Sequence, residues 1–186
     1  SLQSIFFISS LSLLYGFFPA TTLPIIAFLF FNLTPAKIFL GNSGSYLLGT
    51  LLASYIFNMG FDFQYLNEII IYAVLLTIFL VDSTYTLVRR FIYIFMEKKS
   101  SLKQSILYIT EPHRTHNYQL LTIEHKNHII VNIMLLVYNI FWCLPIAYLI
   151  LIGNQGLTSS FLLLLASYLP YAIWCYKNNA GVPKKL

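Results

Sequence analysis

About six long apolar stretches divide this chain, and none of them alternates apolar with polar residues. They run at about 4–18, 21–32, 45–59, 68–88, 129–152 and 157–176. A hydrocarbon core about 30 Å thick takes about 20 apolar residues at the helical rise. Each run therefore predicts a membrane helix, the first two shortened by Gly16, Pro19 and Pro24. Transmembrane strands would instead alternate over about ten positions. The expected fold is all-α: a polytopic membrane helix bundle of about six transmembrane helices with short cytoplasmic loops.

Composition agrees with the pattern. Of 186 residues, 58% are hydrophobic and 9% charged, too little polar surface to cover a soluble globule. The bilayer is the expected solvent. The two cysteines, Cys143 and Cys175, both fall inside predicted spans without CxxC spacing and read as small apolar core residues.

Charge placement gives the orientation. Lys37 follows the second run; Arg89, Arg90, Lys98, Lys99, Lys103, Arg114 and Lys126 lie between the fourth and fifth; Lys177, Lys184 and Lys185 follow the last. The connectors 60–67 and 153–156 carry no Lys or Arg. By the positive-inside rule the loops 33–44 and 89–128, the tail 177–186 and the start of the chain are cytoplasmic. Residues 1–4 show no basic n-region, so no signal peptide is expected. Residues 1–186 read as the carboxyl-terminal part of one longer integral membrane domain. The net charge of +5 points to anionic lipid headgroups, each basic residue contributing about 1 kcal/mol, and not to nucleic acid.

Four features on the cytoplasmic face could carry chemistry. Gly41, Asn42, Ser43, Gly44 and Ser45 stand directly before an apolar run, where backbone N–H groups at a helix start can hold an anion; a plain Gly-Ser helix cap is the alternative. Asp82 lies near the cytoplasmic end of the fourth run, where an acid costs a few kcal/mol unless partnered. Helical spacing puts Asp82, Thr86 and Arg89 or Arg90 on one face, so an ion pair of Asp82 with an arginine stands beside a site role. Arg89 and Arg90, with the lysines that follow, suit lipid headgroups or a phosphorylated lipid. Finally, Glu111 to Gln119 holds His113, Arg114 and His116 after a proline. With His125 and His128 the spacing can be drawn as a four-histidine zinc site, but a phosphate clamp is chemically more natural, because Arg offers a bidentate fork and His a hydrogen bond or a proton.

Taken in order, these segments resemble a known family. PAKIFLGNSGSYLLG at 35–49 is similar to the P-A-x-I-F-M-G-D-x-G-S-x-x-L-G signature of the bacterial polyprenyl-phosphate N-acetylhexosamine-1-phosphate transferases, of glycosyltransferase family 4 and the MraY-like superfamily. DSTYTLVRR at 82–90 resembles its D-x-x-x-T-L-x-R-R segment. PHRTHNYQ at 112–119 and NAGVP at 179–183 are similar to the A-H-R-S-H-A-Y-Q loop and G-A-G-x-P ending of the branch that initiates O-antigen synthesis.

The resemblance implies transfer of a sugar 1-phosphate from a UDP-N-acetylhexosamine to undecaprenyl phosphate at the cytoplasmic face of the bacterial inner membrane, with UMP leaving. It implies Mg²⁺, or Mn²⁺, on the diphosphate, and allows a homodimer. It places Asn42 at the metal position, Lys37, Gly41, Ser43, Gly44, Ser45, Arg89 and Arg90 near substrate, and His113, Arg114, His116 and Asp82 in catalytic or phosphate-contacting roles. In the family the metal position is an aspartate; an amide oxygen supplies no charge, so weaker metal binding is expected. The family's paired aspartates and N-x-x-N-x-x-D-G segment precede the glycine loop, and this chain starts after them. A truncated or degenerate homologue acting as scaffold or lipid binder is the alternative. A transporter segment would want charged residues near mid-membrane, where these runs offer Ser, Thr and Asn.

Overall fold

The computed structural model describes residues 2–15, 22–32, 37–38, 41–57, 66–97, 101–111, 113–153 and 156–182. Among the described residues the chain is all-α and has no strand. Its helices are α1 (Leu2–Tyr15), α2 (Thr22–Asn32), α3 (Gly41–Phe57), α4 (Leu66–Leu75), α5 (Thr77–Ile92), α6 (Leu102–Thr110), α7 (Asn117–His125), α8 (His128–Tyr138), α9 (Leu144–Ile152) and α10 (Leu157–Lys177). A π-helical turn at Tyr93–Glu97 follows α5, and another at Asn139–Cys143 joins α8 to α9.

Among the described residues, two continuous helices are long and apolar enough to cross a membrane, His128–Ile152 and Leu157–Lys177. Leu66–Leu75 and Thr77–Met96 make a third if counted as one span. The apolar run at 68–88 is thus two helices divided at Leu76, although it contains no Gly or Pro to announce a break. Where 4–18, 21–32 and 45–59 were expected to span, the described helices are α1, α2 and α3, of 14, 11 and 17 residues; positions 16–18, 21 and 58–59 lie outside the described residues. Large apolar side chains such as Phe141, Leu162 and Leu169 are exposed on the two long helices. This is the surface of an integral membrane protein, facing acyl chains.

The chain forms two compact units, Ser1–Leu76 with Asn132–Ser167, and Thr77–Val131 with Tyr168–Leu186. In the first, Phe6, Phe7, Ile8 and Leu11 of α1 share a core with Ile70, Ile71, Tyr72, Val74 and Leu75 of α4 and with Cys143, Ile146, Ala147 and Ile150. Cys143, Ala147 and Ile150 recur at helical spacing and are all buried. Small residues on such a stripe let helix backbones approach closely, which is how helices associate where lipid supplies no hydrophobic drive.

Two prolines shape the long helices. Pro145 follows the π turn, in which the Leu144 N–H reaches back to the Asn139 carbonyl; the wider turn makes room for a ring that would otherwise press on the preceding turn. Pro170 lies inside α10 and deprives the Ala166 carbonyl, four residues earlier, of its amide donor. The Trp142 indole N–H donates to that carbonyl at 3.1 Å. One residue on, the Tyr138 hydroxyl donates to the Ser167 carbonyl at 2.6 Å. A membrane helix tolerates proline where neighbours satisfy the freed groups in this way.

Trp142→Phe is expected to lower unfolding free energy in detergent by about 1 kcal/mol. In a Pro170→Ala background the restored amide N–H can take the Ala166 carbonyl, so the same substitution should cost close to nothing. Equal costs in both backgrounds, measured by denaturant titration, would show that Trp142 does not serve the proline.

Candidate active site

The candidate chemistry gathers in the second unit, on one face of α5. Asp82, Thr86 and Arg90 stand four residues apart and are all buried, at 4%, 0% and 2% exposure. A buried acid and a buried arginine need partners, and each finds them at the end of a short helix.

Arg90 meets the carboxyl end of α6. That helix starts with a reciprocal cap: Ser101 Oγ accepts from the Gln104 N–H, and Gln104 Oε1 accepts from the Ser101 N–H. It stops before Pro112 in sequence, since the residue preceding a proline disfavours helical backbone. Arg90 Nη2 donates to the Tyr108 carbonyl at 2.6 Å, and Nη1 to the carbonyls of Ile109 and Glu111, each at 3.3 Å. The guanidinium carbon also lies 4.7 Å from the centre of the Tyr108 ring. A cation thus sits at the negative end of the helix and satisfies carbonyls left open there.

Asp82 meets the amino end of α7. Its Oδ1 accepts from the Asn117 backbone N–H at 2.8 Å, so a carboxylate faces the positive end of that helix. Tyr171 Oη and Cys175 Sγ of α10 approach the same oxygen, at 3.5 and 4.0 Å. His116 Nδ1 lies 3.0 Å from Oδ2 but off the hydrogen-bond axis, so the contact is one of charge and dipole. The expected ion pair of Asp82 with an arginine is not formed: the carboxylate turns to His116, and Arg90 to backbone carbonyls.

Between these two anchored helix ends runs the loop with His113, Arg114, Thr115 and His116. The rings of His113 and His116 stand 4.8 Å apart, and His116 stacks on Tyr118 at 5.8 Å. His113 Nε2 is buried without a hydrogen-bond partner. Burial, then the nearby Arg90 and His116, hold the His113 imidazole below its ordinary titration range. Burial and the Asp82 carboxylate push the Tyr118 phenol up. Arg114 is exposed while His113 and His116 are half-buried, so the loop turns its arginine outward.

The other expected site residues fall elsewhere. Arg89 is partly buried on α5. Lys37 is exposed in the first unit, and Gly41, Ser43 and Gly44 form the first turn of α3, with Gly41 at φ +62°. The side chains of Asn42 and Ser45 lie outside the described residues. His125 and His128 are exposed, and among the described residues no three His, Cys, Asp or Glu side chains are placed to hold a metal ion. The four-histidine zinc arrangement is therefore not assembled. Asp82 Oδ1 is taken by the Asn117 N–H, and the expected Mg²⁺ position, Asn42, has its side chain outside the described residues. Sequence reasoning missed Tyr171 and took Cys175 for plain core; with Asn178 they recur at helical spacing, a small polar stripe that could have been noticed.

Comparison with known proteins bears on the first part of the chain. Residues 2–60 match Glycosyl transferase family 4. The chain is also 50% identical over 40 residues to the phospho-N-acetylmuramoyl-pentapeptide-transferase of Petrotoga mobilis. That stretch is 22% of this chain and 13% of the relative's length. No solved structure matches.

Two substitutions test the paired anchors. Asp82→Asn and Arg90→Lys should each cost about 2 kcal/mol of unfolding free energy, the range for hydrogen bonds to a charged group. Losses under about 0.5 kcal/mol would place them among ordinary surface changes. His113 gives a pH signature. Its folded value is depressed, so the unfolded state binds the proton more readily. The stability it contributes is present above the ordinary imidazole value of about 6.5 and is lost as pH falls below it. The thermal midpoint of the wild type should fall further between about pH 7 and 5 than that of His113→Gln.

Proposed function

We propose that this chain is part of a membrane transferase that moves an N-acetylhexosamine 1-phosphate from a UDP-sugar to undecaprenyl phosphate. UMP is released, and the product starts an O-antigen or other cell-envelope polysaccharide. The observation that carries this reading is the anchored loop with Arg114 turned outward, in a chain whose residues 2–60 match Glycosyl transferase family 4. The relative from Petrotoga mobilis is by name a phospho-sugar transferase, which supports the class. The four ordered motif resemblances favour the O-antigen branch.

In this reading a phosphate oxygen of the lipid attacks the phosphorus that bears the sugar. A new P–O bond forms, the bond to the UMP oxygen breaks, and the electron pair leaves with UMP. Phosphoryl transfer asks mainly for positioning and charge neutralisation. Arg114 can hold the diphosphate through two parallel N–H donors. His113, kept neutral, offers hydrogen bonding without competing for that charge. His116 positions the loop through its contact with Asp82. The divalent cation that the family resemblance implies would be held at Asn42, whose side chain lies outside the described residues, and no step here is routed through it.

A second reading, a scaffold or lipid binder without activity, is favoured by Asn42 standing where the family signature has aspartate. The two separate in one experiment. Membranes carrying the full gene product are given UDP-N-acetylhexosamine with a labelled sugar, and label is counted in extracted lipid. Transfer by the wild type, reduced about 100-fold by Arg114→Ala, supports the enzyme. Label in neither the wild type nor Asn42→Asp supports the scaffold, and label only with Asn42→Asp identifies position 42 as the lesion.

A further inference from the structure

After its last residue, Lys177, α10 closes in a specific turn. Asn179 takes the left-handed conformation, φ +55°. Its N–H donates to the Tyr176 carbonyl, and the Ala180 N–H donates to that of Cys175, both at 3.0 Å. These two bonds are the Schellman stop. The turn does not end in solvent: Ala180 and Gly181 are buried. Gly181, at φ +80°, donates its N–H to the Thr115 carbonyl at 2.9 Å. A Cβ there would come within 2.8 Å of Arg89 Cβ and 2.9 Å of the Thr86 carbonyl oxygen, so only glycine lets the tail lie this close to α5. Asn178 Nδ2 donates to Asn117 Oδ1 at 2.7 Å, and Asn117 is fully buried. The tail therefore holds the residue on each side of His116, one through its backbone and one through its side chain.

We propose that Asn178 and Gly181 are positioning residues for the loop bearing His113 and Arg114. They act through Asn117 and Thr115 and set affinity for the diphosphate of the nucleotide sugar. The proposal rests on the transferase reading for its substrate, while its mechanical part stands apart from it. Asp82 and Arg90 anchor the helices that flank the loop, but Thr115, next to Arg114, has its carbonyl held from the tail. A group that must meet a phosphate in a fixed geometry gains most from such a hold, because small displacements of a binding group are costly in rate.

The test uses the full gene product with Asn178→Ala and, separately, Gly181→Ala. Trypsin cleavage after Arg114 reports loosening of the loop, and cleavage after Lys126, which is exposed at the end of α7, is the internal control. Each variant should be cut at Arg114 about tenfold faster, the factor that corresponds to about 1.4 kcal/mol of local stability, with Lys126 unchanged. KM for the UDP-sugar should rise several-fold while KM for undecaprenyl phosphate stays constant. Unchanged cleavage at Arg114 in both variants overturns the proposal, and so does an equal rise at Lys126, which would mean general unfolding. Faster cleavage at Arg114 without label transfer in any form would leave the tail's hold on the loop standing and remove the transferase reading.

Discussion

Two opposite charges on one helix face, each set against the helix end of complementary sign, organise the candidate site. Asp82 and Arg90 lie two turns apart on α5 and are almost wholly buried. Either charge alone would be expensive in a low-dielectric setting. The Asn117 N–H at the start of α7 and the last carbonyls of α6 are dipole ends that a short helix cannot satisfy internally. Each defect is the other's remedy. The loop between the two helices inherits its position from both ends, and its histidines and arginine have a defined place because α5 holds what flanks them.

The same logic of unmet backbone groups runs through the membrane helices. Pro170 frees the Ala166 carbonyl within an apolar helix, and Trp142 supplies the donor. Pro145 is accommodated by a π turn. The tail shows a third form: the Schellman turn closes α10, then Gly181 carries the chain against α5 and spends its N–H on the loop. At Pro170 and Gly181 the partner is distant in sequence, whereas Pro145 is met by a turn of its own helix.

Fold class was legible because it rests on composition and run length, which local sequence contains. Runs near 129–152 and 157–176 correspond to His128–Ile152 and Leu157–Lys177, since a helix with no internal polar need is set by its length and flanks. The division of 68–88 at Leu76 was not legible, because no Gly or Pro marks it. The shared face of Asp82, Thr86 and Arg90 followed from helical spacing. Their partners did not, because an ion pair on one helix is the local option, and the tertiary structure offered each charge a better one.

By itself, the sequence determined an all-α integral membrane protein, a helix face bearing an acid and one of two adjacent arginines, and a histidine–arginine loop between apolar segments. These follow from periodicity, charge and composition, which are properties of neighbouring residues. Only the tertiary structure decided that Asp82 serves α7 and Arg90 serves α6, that the four histidines do not converge, and that Tyr171, Cys175, Asn178 and Gly181 stand around the loop. Those assignments depend on which helix ends come to lie beside α5, and contacts between residues 18 to 93 positions apart leave no trace in local pattern.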